Sequence, residues 1–479
     1  MSSEPPIGPG DESPPQWEDL LRSMFGADAD EAMRELRERG MDPAAMAAAA
    51  GLPNDPQLLD QVLGQVQRML AASGEGPVNW DVAHDVARQA AVAEGDPSLT
   101  PGQVRTATEA LSVAELWLDV ATDLPPAGGA ARAWSRSEWI EHTLPAWRAL
   151  AEPVAGSLSA ALVGALADQL PHDRDDGPDL PGAAGAGRVI DPAQLMRQLG
   201  SAVFGMQVGQ AAGTLSREVF GATDIGIPLL REPTTVLVPT NVAAFAEGLD
   251  APVEEVRLFL AVREAAHARL FTHVAWLRGH LLGIVDAYAR GITIDIDSLE
   301  EAVRSIDPTD AAALQGALSG GVFAPQATPE QQANLLRLET ALALVEGWVD
   351  EVTTVATLPH LPHAVPLREM IGRRRAAGGP AEQIFATLVG LELRPRRSRD
   401  AATLWAEITR TGGPAARDAV WGHPDLLPTT EDLDDPTGFT ARRTAAADEQ
   451  ADVDRALAEI FGDEPGGTLD EGEPGYGAD

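Results

Sequence analysis

A chain of 479 residues that is 44% hydrophobic can bury a substantial core in two or three folded units, and its lack of cysteine leaves only His, Asp and Glu to hold any metal. All 35 cationic side chains are arginine, so Schiff-base and pyridoxal-phosphate chemistry, the P-loop lysine and a Ser-Lys dyad are excluded. A net charge of −38 repels phosphate backbones and anionic membranes, so no nucleic-acid or membrane partner is expected, and a peptide or protein partner stays open.

In chain order, residues 1–15 are acidic and rich in proline, with no basic-then-apolar leader, and are expected to be disordered in a soluble, cytoplasmic protein. Residues 16–170 carry helical apolar spacing, clearest over 80–93 and 100–122, and are read as a helical amino-terminal region. Residues 171–190, with four aspartates, three prolines and two Gly-Ala pairs, read as a linker. Beyond it, Asp191-Pro192 is an N-cap followed by a first-turn proline, and the helix it opens is expected to run to about Val219. Gly205, Gly209 and Gly213 recur every four residues and give that helix one face without side chains, suited to close helix contact. The β-branched run over 234–238, set between prolines, is the best strand candidate.

Two helices then place polar groups where apolar ones are expected. The first begins near Asp250-Ala251-Pro252 and is expected to reach at least Phe271 and to extend past Trp276. Its stripe of Val256, Phe259, Leu260, Leu270 and Val274 encloses Arg263 and His267, with Glu264 at its edge. The second is announced by Thr328-Pro329-Glu330-Gln331, a cap, a first-turn proline and a capping-box glutamine, and is expected to run to about Val355. Its stripe of Leu335, Leu338, Leu342, Val345 and Val349 has Glu339, Glu346 and Asp350 along its edge. An unpaired buried charge costs several kcal/mol, so Arg263 is expected within salt-bridge reach of Glu346, or failing that Asp350 or Glu339. A salt-bridge network between two core helices and a chemical site both account for such a cluster.

Several stretches together resemble a known family. They are Ala-Val-Arg-Glu-Ala-Ala-His-Ala-Arg-Leu-Phe at 261–271, Glu-Gly-Trp-Val-Asp at 346–350, Arg-Arg-Arg-Ala-Ala-Gly-Gly-Pro at 373–380, Leu-Val-Gly-Leu-Glu-Leu-Arg-Pro-Arg at 388–396 and Trp-Gly-His-Pro-Asp-Leu-Leu-Pro at 421–428. In these the chain resembles the actinobacterial zincin-like metallopeptidases, proteins labelled as hydrolases or zinc-dependent metalloproteases, over about 194–439. The resemblance implies a mainly α fold with a small β-sheet (α+β), a zincin-like core over 191–440 and a helix of active-site type. A helical tail over 441–461 and a disordered acidic end over 462–479 complete the expected organisation. Active zincins carry His-Glu-x-x-His, in which two histidines one turn apart bind zinc and the glutamate activates the bound water. By that resemblance Glu264 matches the general base, His267 the second histidine and Glu346 a downstream metal ligand, but the first histidine is Arg263, giving Arg-Glu-x-x-His. A guanidinium keeps its proton and repels a cation, which sets the zinc of the family against the chemistry of this motif.

Two functional expectations stay open. One is a metallopeptidase-like hydrolase acting on a peptide laid beside the strand at 234–238, with Glu264 as its base. The other is a catalytically inactive pseudo-metallopeptidase that serves as a binding or scaffolding protein, with Arg263 in the metal position. Two weaker histidine pairs, His273 with His280 and His360 with His363, add minor metal candidates. Asp295-Ile296-Asp297 resembles the opening of a calcium loop but lacks the glycine and terminal glutamate at the required spacing, so Ser298 and Glu301 read as a helix cap. The run Arg373-Arg374-Arg375 reads as a solvated or salt-bridged loop, with phosphate or acidic-peptide binding as the alternative.

Overall fold

The structure is a computed structural model that describes residues 76–169, 192–291, 328–376 and 397–462. The expected end at 1–15, the expected end at 462–479 except Gly462, which closes the last helix, the helical pattern before 76, the linker at 171–190, the Asp295 loop and the motif at 388–396 lie outside the described residues.

The elements run α1 (Trp80–Val92), α2 (Pro101–Leu118), β1 (Ala131–Ala133), α3 (Arg136–Gln169), α4 (Pro192–Ser216), β2 (Thr235–Leu237), α5 (Pro239–Ala246), α6 (Val253–His273) and α7 (Leu277–Arg290), followed by α8 (Pro329–Thr357), α9 (Ala364–Ala376), α10 (Ser398–Ala419), α11 (Thr430–Asp434) and α12 (Phe439–Gly462). Helix starts follow the local chemistry. Asn79 caps α1 through Val82 N–H, and Thr100 with Gln103 and Thr328 with Gln331 form complete capping boxes ahead of first-turn prolines. The fold is thus mainly α with, among the described residues, one small sheet, in which β1 pairs with β2 in parallel, Arg132 opposite Val236.

Helix α6 lies at the centre, buried without interruption from Phe259 to Leu270 and packed against α2, α8 and β2. Helix α8 packs against α6, α7 and α10 and is buried from Ala341 to Val349. The glycine face of α4 meets α1: a Cβ at Gly209 would stand 2.5 Å from Ala83 O, and one at Gly213 2.8 Å from Ala87 O. Only glycines allow these backbones to approach so closely.

Helices on either side of 171–190 share one hydrophobic core, from Ala83 and Leu111 through Trp139 and Leu215 to Val262 and Trp405. Polar ties reinforce it. Arg269 of α6 donates to Glu115 of α2 and to Asp119, which follows that helix, at 2.7 and 2.8 Å. Asp418 near the end of α10 accepts from Thr122 Oγ1 at 2.5 Å and from Trp348 Nε1 at 2.9 Å, while the fully buried Arg417 donates to Ala121 O at 2.8 Å.

Two expectations are corrected. Helix α6 does not continue past Trp276: it stops at His273, where Val274 leaves helical dihedrals (φ −95°, ψ 78°), and Trp276 starts α7. The cause is tertiary, because the Trp276 indole donates to Trp421 O at 2.9 Å and packs against the Trp421 ring. His273 and His280 therefore sit on different helices and share no face. The arginine run 373–375 is the last turn of α9, not a loop, and cations there complement the helix dipole.

Candidate functional site

Helices α6, α8 and α9 and the loop between α4 and β2 converge on Glu346. Its Oε2 accepts from Arg263 Nη2 at 2.8 Å, and its Oε1 faces His267 Nε2 at 3.1 Å and Arg375 Nη1 at 2.6 Å. Arg263 and Glu346 are 5% and 3% exposed, so this ion pair is desolvated. Burial by itself would raise the Glu346 carboxyl, but Arg375, His267 and Arg263 together hold it well below the usual carboxylate range. Asp350, one turn on, lies 3.8 Å from Arg263 Nη1 and is held by Arg368 Nε at 2.8 Å. Glu339 is half-buried two turns earlier on α8.

His267 is held at both ring nitrogens. Its Nδ1 is 3.0 Å from Arg263 O, the kind of outer contact that fixes a ring and aims Nε2 at a metal. Here Nε2 is aimed at Glu346, so both ring nitrogens face acceptors.

Glu264 points the other way, into a backbone cradle. It accepts from Ala222 N at 3.0 Å, Thr223 N at 3.1 Å, Val236 N at 3.2 Å and Thr223 Oγ1 at 2.5 Å. Gly221 makes room, since a Cβ there would collide with the carboxylate and with Val236 O. Burial pushes the Glu264 carboxyl up to about 7, against the pull of these four donors. The Thr223 hydroxyl can donate to the carboxylate or accept from the acid, so the cradle accommodates both protonation states. Glu264, Arg263 and His267 meet Asp224, Phe220 and Leu260 around a gap of only about 10 Å³, the space of a single water.

The arrangement brings together Arg263, His267, Glu346 and Asp350, as the sequence suggests, and adds Arg375, Arg368, Thr223 and Asp224, which it does not. A signal for the arginines existed: Arg368 and Arg375 are seven residues apart on a helix whose Leu367 and Ile371 are buried, so they share a face. Asp224 and Thr223 lie in a loop and carry no periodic signal. The minor histidine candidates are engaged elsewhere: His360 stacks on Trp117, His363 contacts Glu255 at 3.1 Å, and His273 reaches Pro126 O at 3.1 Å.

A zinc ion does not fit these donors. Both Glu346 oxygens are spent on guanidinium or imidazole N–H groups, so the Arg263 and Arg375 cations lie against the carboxylate that a metal would need as a ligand. Among the described residues, no group of three or more His, Asp or Glu side chains is arranged to hold a metal. No helix among them is long and apolar enough to cross a membrane.

A helical core carrying a polar constellation on its central helix is the class of protein that this fold and site define. The model of the zincin-like metallopeptidase family matches residues 78–440, and the chain belongs to that family. The match begins well before residue 191 and so takes in helices α1 to α3 as well as the expected core. A solved structure from Chloroflexus aurantiacus, described as a candidate hydrolase with a novel fold, is similar at 17% identity and a TM-score of 0.53, covering 77% of this chain and 99% of that one, which supports the shared fold. Comparison with curated proteins gave no match.

Proposed function

We propose that this protein is a pseudo-metallopeptidase: a zincin-like scaffold in which guanidinium groups replace the catalytic metal, and which acts by binding. The observation that carries the reading is the saturation of Glu346 by Arg263, Arg375 and His267. Arginine cannot yield its proton to make room for a metal, so the exchange is permanent at any accessible pH. The peptide cleft expected beside the strand is also disfavoured. Strand β2 is buried throughout and pairs with β1 on one side, Val236 N donates to Glu264, and Val238 N just after the strand donates to Phe220 O.

The competing reading, a hydrolase with Glu264 as base, draws on a carboxyl poised near neutral pH and on the description of the Chloroflexus protein. Against it stand the four donors that occupy Glu264 and the lack of space beside it.

Metal analysis of protein purified without a histidine tag tests the proposal, with no stoichiometric zinc as the expected result. Arg263→His is expected to leave the protein without zinc, because Arg375 still covers Glu346, whereas Arg263→His combined with Arg375→Gln is expected to gain zinc binding through residue 263, His267 and Glu346. Stoichiometric zinc in the unaltered protein would overturn the proposal and restore the metallopeptidase reading.

A further inference from the structure

Beside the cluster lies a cavity of about 310 Å³, in the size range of small-molecule sites. Four arginines line it, Arg263, Arg368, Arg375 and Arg399, against three carboxylates. This cationic wall belongs to a chain of net charge −38, so it stands out as a local reversal of sign. The carboxylates are turned onto the guanidinium groups: Glu346 onto Arg263 and Arg375, and Asp350 onto Arg368 at 2.7 Å.

Donors outnumber these acceptors. A guanidinium has five N–H groups, and the 5%-exposed Arg263 donates one hydrogen bond among the described residues, to Glu346. Arg399 approaches Glu369 only to 3.6 Å, beyond hydrogen-bond length, and its side chain is 75% exposed at the rim. The amino terminus of α10 also opens here at Ser398, with no side-chain cap among the described residues, so its N–H groups add to the positive potential against the single first-turn acid Asp400. A ligand that brings its own oxygen acceptors would complete this set.

We propose that the cavity binds a small molecule through a phosphate or carboxylate group, held by Arg263 and Arg368 at its base and Arg399 at its rim. This rests on the reading that guanidinium groups have replaced the metal. It goes further by naming the ligand chemistry: planar guanidinium forks match both kinds of oxyanion.

Isothermal titration calorimetry of the full chain with inorganic phosphate and, separately, glutarate, at constant ionic strength, tests the proposal. Saturable binding of at least one probe at one site per chain is expected, weakened about tenfold or more by Arg399→Glu and by Arg368→Gln, as loss of a charge-assisted hydrogen bond entails. Arg105→Glu, on the exposed face of α2, carries the same charge change as Arg399→Glu and is expected to leave affinity unchanged. Tighter binding of phosphate assigns a phosphate ester, and tighter binding of glutarate assigns a carboxylate. No saturable binding of either probe, or equal weakening by Arg105→Glu, overturns the proposal. Zinc content measured on the same preparations reports separately on the replacement of the metal.

Discussion

Arg263 brings a permanent charge into a site that is 5% exposed, and Glu346 neutralises it there. Glu346→Gln leaves the buried Arg263 with only Asp350, 3.8 Å away, and is expected to cost about 3–5 kcal/mol, whereas Arg263→Met leaves Glu346 still paired with Arg375 and His267 and is expected to cost less. The double variant is expected to lose less than the sum, and a double-mutant cycle by urea denaturation measures the coupling. Glu264 makes a second prediction at this scale. Its folded pKa of about 7 lies above the ordinary 4.5, so the native state holds the extra proton between those values. Its stabilising contribution is therefore complete below the ordinary value and is lost as pH rises through about 7, a swing on the order of 3 kcal/mol. Relative to Glu264→Gln, the unaltered protein is expected to lose stability between about pH 5 and about pH 8. A difference that does not change with pH would mean that the cradle keeps the carboxylate ionised.

The α1–α4 contact shows how a sequence pattern becomes packing. Gly209 backs onto Ala83 O and Val86, so Gly209→Leu must push the helices apart, at an expected cost of about 1–3 kcal/mol or more. Gly279 of α7 has open space where its Cβ would go, and Gly279→Ala is expected to stabilise the protein by about 0.5–1 kcal/mol. Thermal unfolding of the two variants reads these opposite signs. The glycine spacing and the cap at Thr328 were legible because each is a relation between residues a few positions apart. The end of α6 was not. Nothing local stops the apolar pattern before Trp276, and the break there follows from the contact of Trp276 with Trp421, 145 residues away.

At the scale of the whole molecule, one core joins helices from both sides of 171–190 through α1–α4 packing, the Arg269 ties and the Arg417–Asp418 pair. A chain cut at a protease site introduced within that segment is expected to elute as one particle and unfold in one transition. Separation of the pieces on gel filtration would show that the two parts are held only by the connecting chain. The sequence by itself determined the helical class, the kinship with the zincin-like family, the exclusion of lysine and cysteine chemistry, and the need of Arg263 for an acidic partner on the second core helix. The kinship rests on motifs that resemble those of the family, and the others follow from residue type or from short-range periodicity. Only the tertiary structure decided that Arg375 closes the second side of Glu346, that Glu264 turns to the Ala222–Thr223 backbone, that Ala131–Ala133 pairs with the expected strand, and that four arginines enclose a cavity. The physical reason is that periodicity reports which face of a helix is buried, whereas the partner of that face is chosen by the packing of elements far apart in the chain.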